Sequence, residues 1–130
     1  VPCTAVGAQR KPAGIVMEAP FTSAKEAVPL MTESLVWPFN DIIKLNASDD
    51  LTANPNQPID NIKKFTSPLM IIHGEKDDLF PIRISEKLFN AAGSKTKTFV
   101  RLENTKHTDV NIFEGRAFEE MSGFFILHKK

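Results

Sequence analysis

Cysteine occurs once, at Cys3, which excludes an internal disulfide framework and any zinc cage built from several thiolates. Net charge is absent too: 16 basic and 16 acidic side chains cancel, so bulk attraction to nucleic acid or to an anionic membrane is not expected. No uninterrupted apolar run is longer than Leu69–Ile72, whereas a bilayer-spanning helix needs about 20 such residues. The opening Val1-Pro2-Cys3 has neither the basic n-region nor the apolar h-region of a signal peptide. The compartment stays unknown on this evidence, with an intracellular soluble domain favoured. Internal repeats and low-complexity tracts are missing. So are H-x-x-x-H spacing, a cysteine pair and a glycine-rich phosphate loop, and Asp77-Asp78 lacks the glycine-spaced partners of a calcium loop. No metal and no cofactor is therefore expected. What remains is a chain of 130 residues, 42% hydrophobic and 25% charged, the profile of a globular domain.

Two short apolar runs have strand character. Gly14-Ile15-Val16-Met17 runs into Glu18-Ala19-Pro20, and Pro68-Leu69-Met70-Ile71-Ile72 runs into His73-Gly74. Neither alternates apolar with polar, so both read as strands covered on two faces, as in a parallel sheet. A third, Thr98-Phe99-Val100-Arg101-Leu102, alternates more and reads as lying nearer a sheet edge. Between the second and third, Pro81 suits a helix start, Ile84, Leu88 and Ala92 recur every fourth residue, and Gly93 supplies a stop. After the third, Phe113, Ala117, Met121 and Phe125 predict the apolar stripe of a last helix, weakened at Gly123. Strand, helix, strand, helix with short connections predicts a right-handed parallel βαβ arrangement, an α/β class.

The stretch from Phe21 to Thr66 differs. Helices are expected over Ser23–Leu35 and Ile59–Phe65, the latter with Asp60 as a candidate cap, and the Asn-, Asp- and Pro-rich 46–58 segment reads as an exposed loop. Asn46-Ala47-Ser48 has the spacing of a glycosylation sequon, a pattern that arises often by chance. Three parallel strands leave two edges, and the first strand, read as the most apolar, wants a neighbour on each side. Further strands upstream of Val1, or a partner chain, are expected to supply it.

In open parallel sheets the chemistry gathers where loops leave the carboxyl ends of the strands. Those ends hold Glu18, Phe21, Thr22 and Ser23 after the first strand, His73, Asp77 and Asp78 after the second, and Asn104, His107, Thr108 and Asp109 after the third. An acid just past one strand and a histidine just past the next can meet above the sheet, the carboxylate fixing the imidazole's tautomer and supporting its positive charge. Glu18 reads as a structural carboxylate, His73 as ordering its turn through a backbone hydrogen bond, and Asp78 as facing solvent. His128 reads as a solvated member of a basic tail. Cys3 lacks the tight glycine turn of a reactive thiol and reads as a small buried hydrophobe.

Here the sequence resembles a family. His73-Gly74-Glu75-Lys76-Asp77-Asp78-Leu79-Phe80-Pro81 is similar to the acid-bearing turn of α/β-hydrolases, H-G-x-x-D-x-x-x-P, and Lys106-His107-Thr108-Asp109 resembles their catalytic-histidine loop. Glu18-Ala19-Pro20-Phe21-Thr22-Ser23, followed by Asp60-Asn61-Ile62 and Pro68, resembles an acyl-hydrolase subgroup of that fold. The resemblance covers Ala13 to the C-terminus. It implies a partial α/β-hydrolase fold of three parallel strands with flanking helices, Asp77 as the triad acid and His107 as the triad base, in the chain order expected.

The same resemblance demands a nucleophile elbow, G-x-S-x-G, and no serine here has that glycine pattern. Val1–Arg10 resembles the helix that follows the elbow, which would put the serine a few residues upstream of Val1, with the oxyanion-hole amides also outside the chain. Residues 1–130 are thus expected to form the C-terminal part of one domain, with 21–66 as an excursion over the site. The implied parent is a serine hydrolase of small acyl esters or thioesters, lipid-like acyl groups included. The chain by itself is expected to be inactive and to need the N-terminal half of the fold or a second chain as partner. The alternative is a non-catalytic module that binds another chain through its exposed sheet edge.

Overall fold

The computed structural model describes residues 2–35, 48–49 and 53–129. Residues 46–47 and 50–52 of the 46–58 loop, including Asn46 and Ala47 of the sequon, and the centre of the 21–66 excursion lie outside the described residues. The elements in chain order are α1 (Pro2–Gln9), β1 (Ile15–Glu18), α2 (Ala24–Glu33), α3 (Pro58–Ile62), β2 (Leu69–Gly74), α4 (Ile82–Ala91), β3 (Lys97–Leu102), a 3-10 turn at His107–Asp109, and α5 (Gly115–His128).

The three strands form one parallel sheet in the order β1-β2-β3. Ile15 pairs with Leu69 and Leu69 with Lys97, so all three carboxyl ends emerge on one side. The central place belongs to β2, every residue of which is buried. Its side chains alternate between two cores, as strand geometry requires. Leu69 and Ile71 join Ile62, Phe65, Leu88 and Ala92 on the face covered by α3 and α4. Met70 and Ile72 join Val100, Leu102, Ala117 and Phe124 on the face covered by α5. The neighbour expected beyond the first strand is not among the described residues. Among the described residues β1 pairs on one side, its residues are half-buried or exposed, and β2 is the strand enclosed on both sides.

The helices follow their local chemistry. Ser23 caps α2 by accepting the amide of Glu26 at 3.2 Å. The start of α2 is tied to the start of α3, since Gln57 Oε1 accepts the amide of Ala24 and Thr22 O accepts that of Ile59. The long excursion therefore leaves and returns at adjacent points. Gln57, not Asp60, precedes α3, and Asp60 within it pairs with Lys63 at its C-cap. Gly93 ends α4 for a reason other than a left-handed turn: a Cβ there would lie 2.2 Å from the carbonyl oxygen of Lys63.

In α5 the expected stripe is rotated. Phe113 precedes the helix and is 81% exposed, and Phe125 is exposed, while Ala117 and Phe124 are buried and Met121 is half-buried. After Ala117 and Met121 the inward face continues at the next third residue rather than the fourth, as a period of 3.6 allows. His128 is not a solvated tail residue either; its ring packs edge-on against Phe124 at 4.7 Å.

Candidate active site

Two loops at the carboxyl end of the sheet dock on one another. The turn after β2 is held to the end of β3 by Glu75 N–H donating to Leu102 O at 3.0 Å, and to the loop beyond by Lys76 N–H donating to Thr105 O at 3.0 Å. Gly74 makes that approach possible, because a Cβ at this position would lie 2.3 Å from Thr105 O. Asn104 takes φ of 55°, a left-handed conformation that asparagine tolerates, and so turns the chain back over the sheet. The docked loops carry Asp77 and His107 respectively.

Asp77 and His107 meet: Nδ1 of His107 lies 2.8 Å from Oδ2 of Asp77. The carboxyl side chain has no solvent exposure, and the imidazole keeps 31%. The other oxygen, Oδ1, accepts the amides of Leu79 at 2.9 Å and Phe80 at 2.6 Å. Asp77 is thus both an Asx-turn residue and the partner of a histidine, one oxygen serving each role. Phe80, which that turn positions, stacks edge-on against His107 with centroids 5.5 Å apart. No described residue engages Nε2 of His107, and its ring is partly open to solvent.

A second histidine approaches the same oxygen. Nε2 of His73 lies 3.1 Å from Asp77 Oδ2 and 2.9 Å from the carbonyl of Phe80, while Nδ1 lies 2.6 Å from Oγ of Ser85. Ser85, His73 and Asp77 have the connectivity of a hydrolytic triad. Ser85 and His73 are both fully buried, so no substrate carbonyl can reach that hydroxyl, and the array is structural. Sequence reasoning gave His73 its backbone bond but missed both the carboxylate and Ser85. The available signals were a histidine inside an otherwise apolar strand and a serine on the inward side of α4 beside Ile84.

The remaining candidates scatter. Glu18 is exposed at the end of β1, Asp78 and Asp109 are exposed, and Thr22 and Ser23 are used at the start of α2. Cys3 is exposed, which corrects the expectation of a buried hydrophobe. It sits in the first turn of α1, where that helix lines an open cavity of about 310 Å³ together with Met17, Glu18, Phe21, Pro58 and Phe80. Phe80 is therefore shared between the cavity and the Asp77–His107 pair. Among the described residues no group of three or more histidine, cysteine, aspartate or glutamate side chains is placed to hold a metal ion. None of their helices is long and apolar enough to cross a membrane.

The chain matches no family model. It is 32% identical over 109 residues to an uncharacterised protein of Mycobacterium tuberculosis, covering 84% of this chain and 34% of that one. It is 28% identical over 124 residues to human alpha/beta hydrolase domain-containing protein 17B, covering 95% of this chain and 37% of the relative. The chain thus spans about a third of the length of these curated relatives. Among solved structures, an esterase of Pyrococcus furiosus superposes with a TM-score of 0.69 at 12% identity, covering 98% of this chain and 49% of that one.

Proposed function

Proceeding from a chain that carries part of the α/β-hydrolase fold, we propose that Asp77 and His107 are the acid and base of a serine hydrolase acting on carboxylic esters or thioesters. The observation that carries this reading is the 2.8 Å bond between a fully buried carboxylate and a partly exposed imidazole at the carboxyl end of the sheet. Bonded through Nδ1, His107 keeps Nε2 for the reacting groups. The serine belongs to the part of the fold these residues do not supply, upstream of Val1 or on a second chain.

In the reaction, the serine hydroxyl adds to the acyl carbonyl as its proton passes to Nε2 of His107. The tetrahedral intermediate expels an alkoxide or thiolate, which takes that proton and departs as the alcohol or thiol. Water then adds to the acyl-enzyme, giving its proton to Nε2. Collapse of the second intermediate releases the acid and returns the hydrogen to serine. Asp77 orients the ring throughout and stabilises the imidazolium formed in each half. The cavity beside Phe80, walled by Met17, Phe21 and Pro58, is the place for an apolar acyl chain.

Labelling with a fluorophosphonate probe tests this, on the 130-residue chain and on a form extended upstream. The extended form is expected to label, and His107→Ala to slow labelling by about 10²- to 10⁴-fold. Absence of labelling in every extended form overturns the hydrolase reading.

A second reading rests on a different observation. Phe125, Ile126 and Leu127 on α5 stand exposed, Leu127 at 79%, and β1 pairs on one side among the described residues. Such surface suits a module that binds another chain along its sheet edge. Failure to label combined with stable capture of a chain bearing the missing strands would favour it.

A further inference from the structure

We infer that His73, held by Ser85, is a positioning residue that fixes the carboxylate of Asp77 for His107. The inference deepens the hydrolase reading and rests on it for its consequence in catalysis, although the bond it concerns can be observed without any activity.

What each atom can donate decides the arrangement around His73. Nε2 of His73 faces two oxygens, the carbonyl of Phe80 at 2.9 Å and Oδ2 of Asp77 at 3.1 Å. A carbonyl and a carboxylate only accept, so the hydrogen sits on Nε2, bonded to the Phe80 carbonyl, with Asp77 Oδ2 close beside that N–H. On the far side, Oγ of Ser85 lies 2.6 Å from Nδ1 and 2.8 Å from the carbonyl of Pro20. With its hydroxyl hydrogen on Pro20 O, Nδ1 donates to Ser85 and the ring carries both hydrogens. With that hydrogen on Nδ1, the ring is the neutral Nε2–H tautomer. In either arrangement Nε2–H is bonded to Phe80 O and lies beside Oδ2 of Asp77.

The carboxylate is then held from every side. Two amides fix Oδ1, and two imidazoles converge on Oδ2. A carboxylate held by the amides alone could still tilt about them. The N–H of His73 resists that tilt from inside the protein, while His107 approaches from the solvent side. All of His73 and Ser85 is buried, where such bonds are stronger than in water and an unmade one is costly. The chain of contacts begins at Pro20, just beyond β1, so α4 and the exit of β1 both help set the geometry at His107.

The test is NMR on the 130-residue chain, following the Nδ1–H proton of His107 and the nitrogen shifts of both rings. Wild type is expected to show a downfield, slowly exchanging His107 proton that Asp77→Ala abolishes. His73→Phe, which keeps a ring but no donor, removes both the bond to Phe80 O and the polar contact to Oδ2, and is expected to move it upfield and speed its solvent exchange about tenfold, the scale of one lost hydrogen bond. His73→Gln, whose amide nitrogen falls near the place of Nε2, should restore much of the protection, which a purely space-filling role would not explain. Should His73→Phe fail to fold, Ser85→Ala carries the test, leaving His73 in place but unanchored, with a smaller shift in the same direction. A His107 proton unchanged in whichever of these variants folds overturns the inference. Fluorophosphonate labelling reads the hydrolase assignment separately, so each can fail while the other stands.

Discussion

At Asp77 one side chain does two jobs, and the jobs separate by oxygen. Oδ1 closes a turn by accepting two amides, and Oδ2 meets His107. Asp77→Asn tests the division, because its amide can keep an oxygen on the turn while presenting an NH₂ to two N–H groups. The fold is expected to survive, read by circular dichroism, while labelling of a serine-bearing extended form falls by about 10⁴-fold, the scale seen when a triad histidine loses its tautomer control. Gly74 makes a second residue-level prediction. Gly74→Ala would force a methyl to within 2.3 Å of the Thr105 carbonyl, so urea denaturation should show a loss of about 1–3 kcal/mol, typical of overpacking. The His107 loop should shift with it.

Among the elements, α5 shows how a helix can be correctly anticipated and its face misjudged. A four-residue ladder from Phe113 to Phe125 fits the sequence, but the helix starts at Gly115 and turns Phe124 inward. Phe124 packs beneath Gly14, where a Cβ would lie 2.7 Å from its ring, and fills the core with Met70, Ile72 and Val100. Phe124→Ala is therefore expected to cost about 3–5 kcal/mol. Ile126→Ala, on the exposed side, should change stability by less than about 0.5 kcal/mol. Equal effects in urea titrations would show that the helix is rotated from the position described. In α4, by contrast, Ile84 and Leu88 are buried as their spacing implies, and Ala92 at its C-cap is buried with them.

For the whole molecule, the described residues make a sheet open along β1, with apolar side chains of α5 standing beside water. Relatives of which the matched region makes up 34% and 37% hold that region within a larger chain. The 130-residue chain is expected to bind an apolar dye and to self-associate with rising concentration, measured by fluorescence and sedimentation velocity. Adding a chain that can pair along β1 should suppress both. A monomer that ignores the dye would show that these surfaces are satisfied within the chain.

What the sequence by itself determined is local. Apolar runs free of alternation made β1 and β2, four-residue spacing made α4, and the lengths of the turns put an acid and a histidine beyond neighbouring strands, where they could meet. These features depend on residues near in sequence, and near residues are what periodicity and turn chemistry record. The tertiary structure decided the rest. That Cys3 is open to a cavity, that His128 stacks on Phe124, and that Ser85 reaches Pro20 across 65 positions while meeting His73 depend on which surfaces the packed sheet brings together. The same is true of the sharing of Asp77 Oδ2 by two histidines. A hydrogen bond needs its atoms placed within a few tenths of an ångström, and only the docking of two loops on one sheet end, through Gly74 and the carbonyl of Thr105, sets positions that finely.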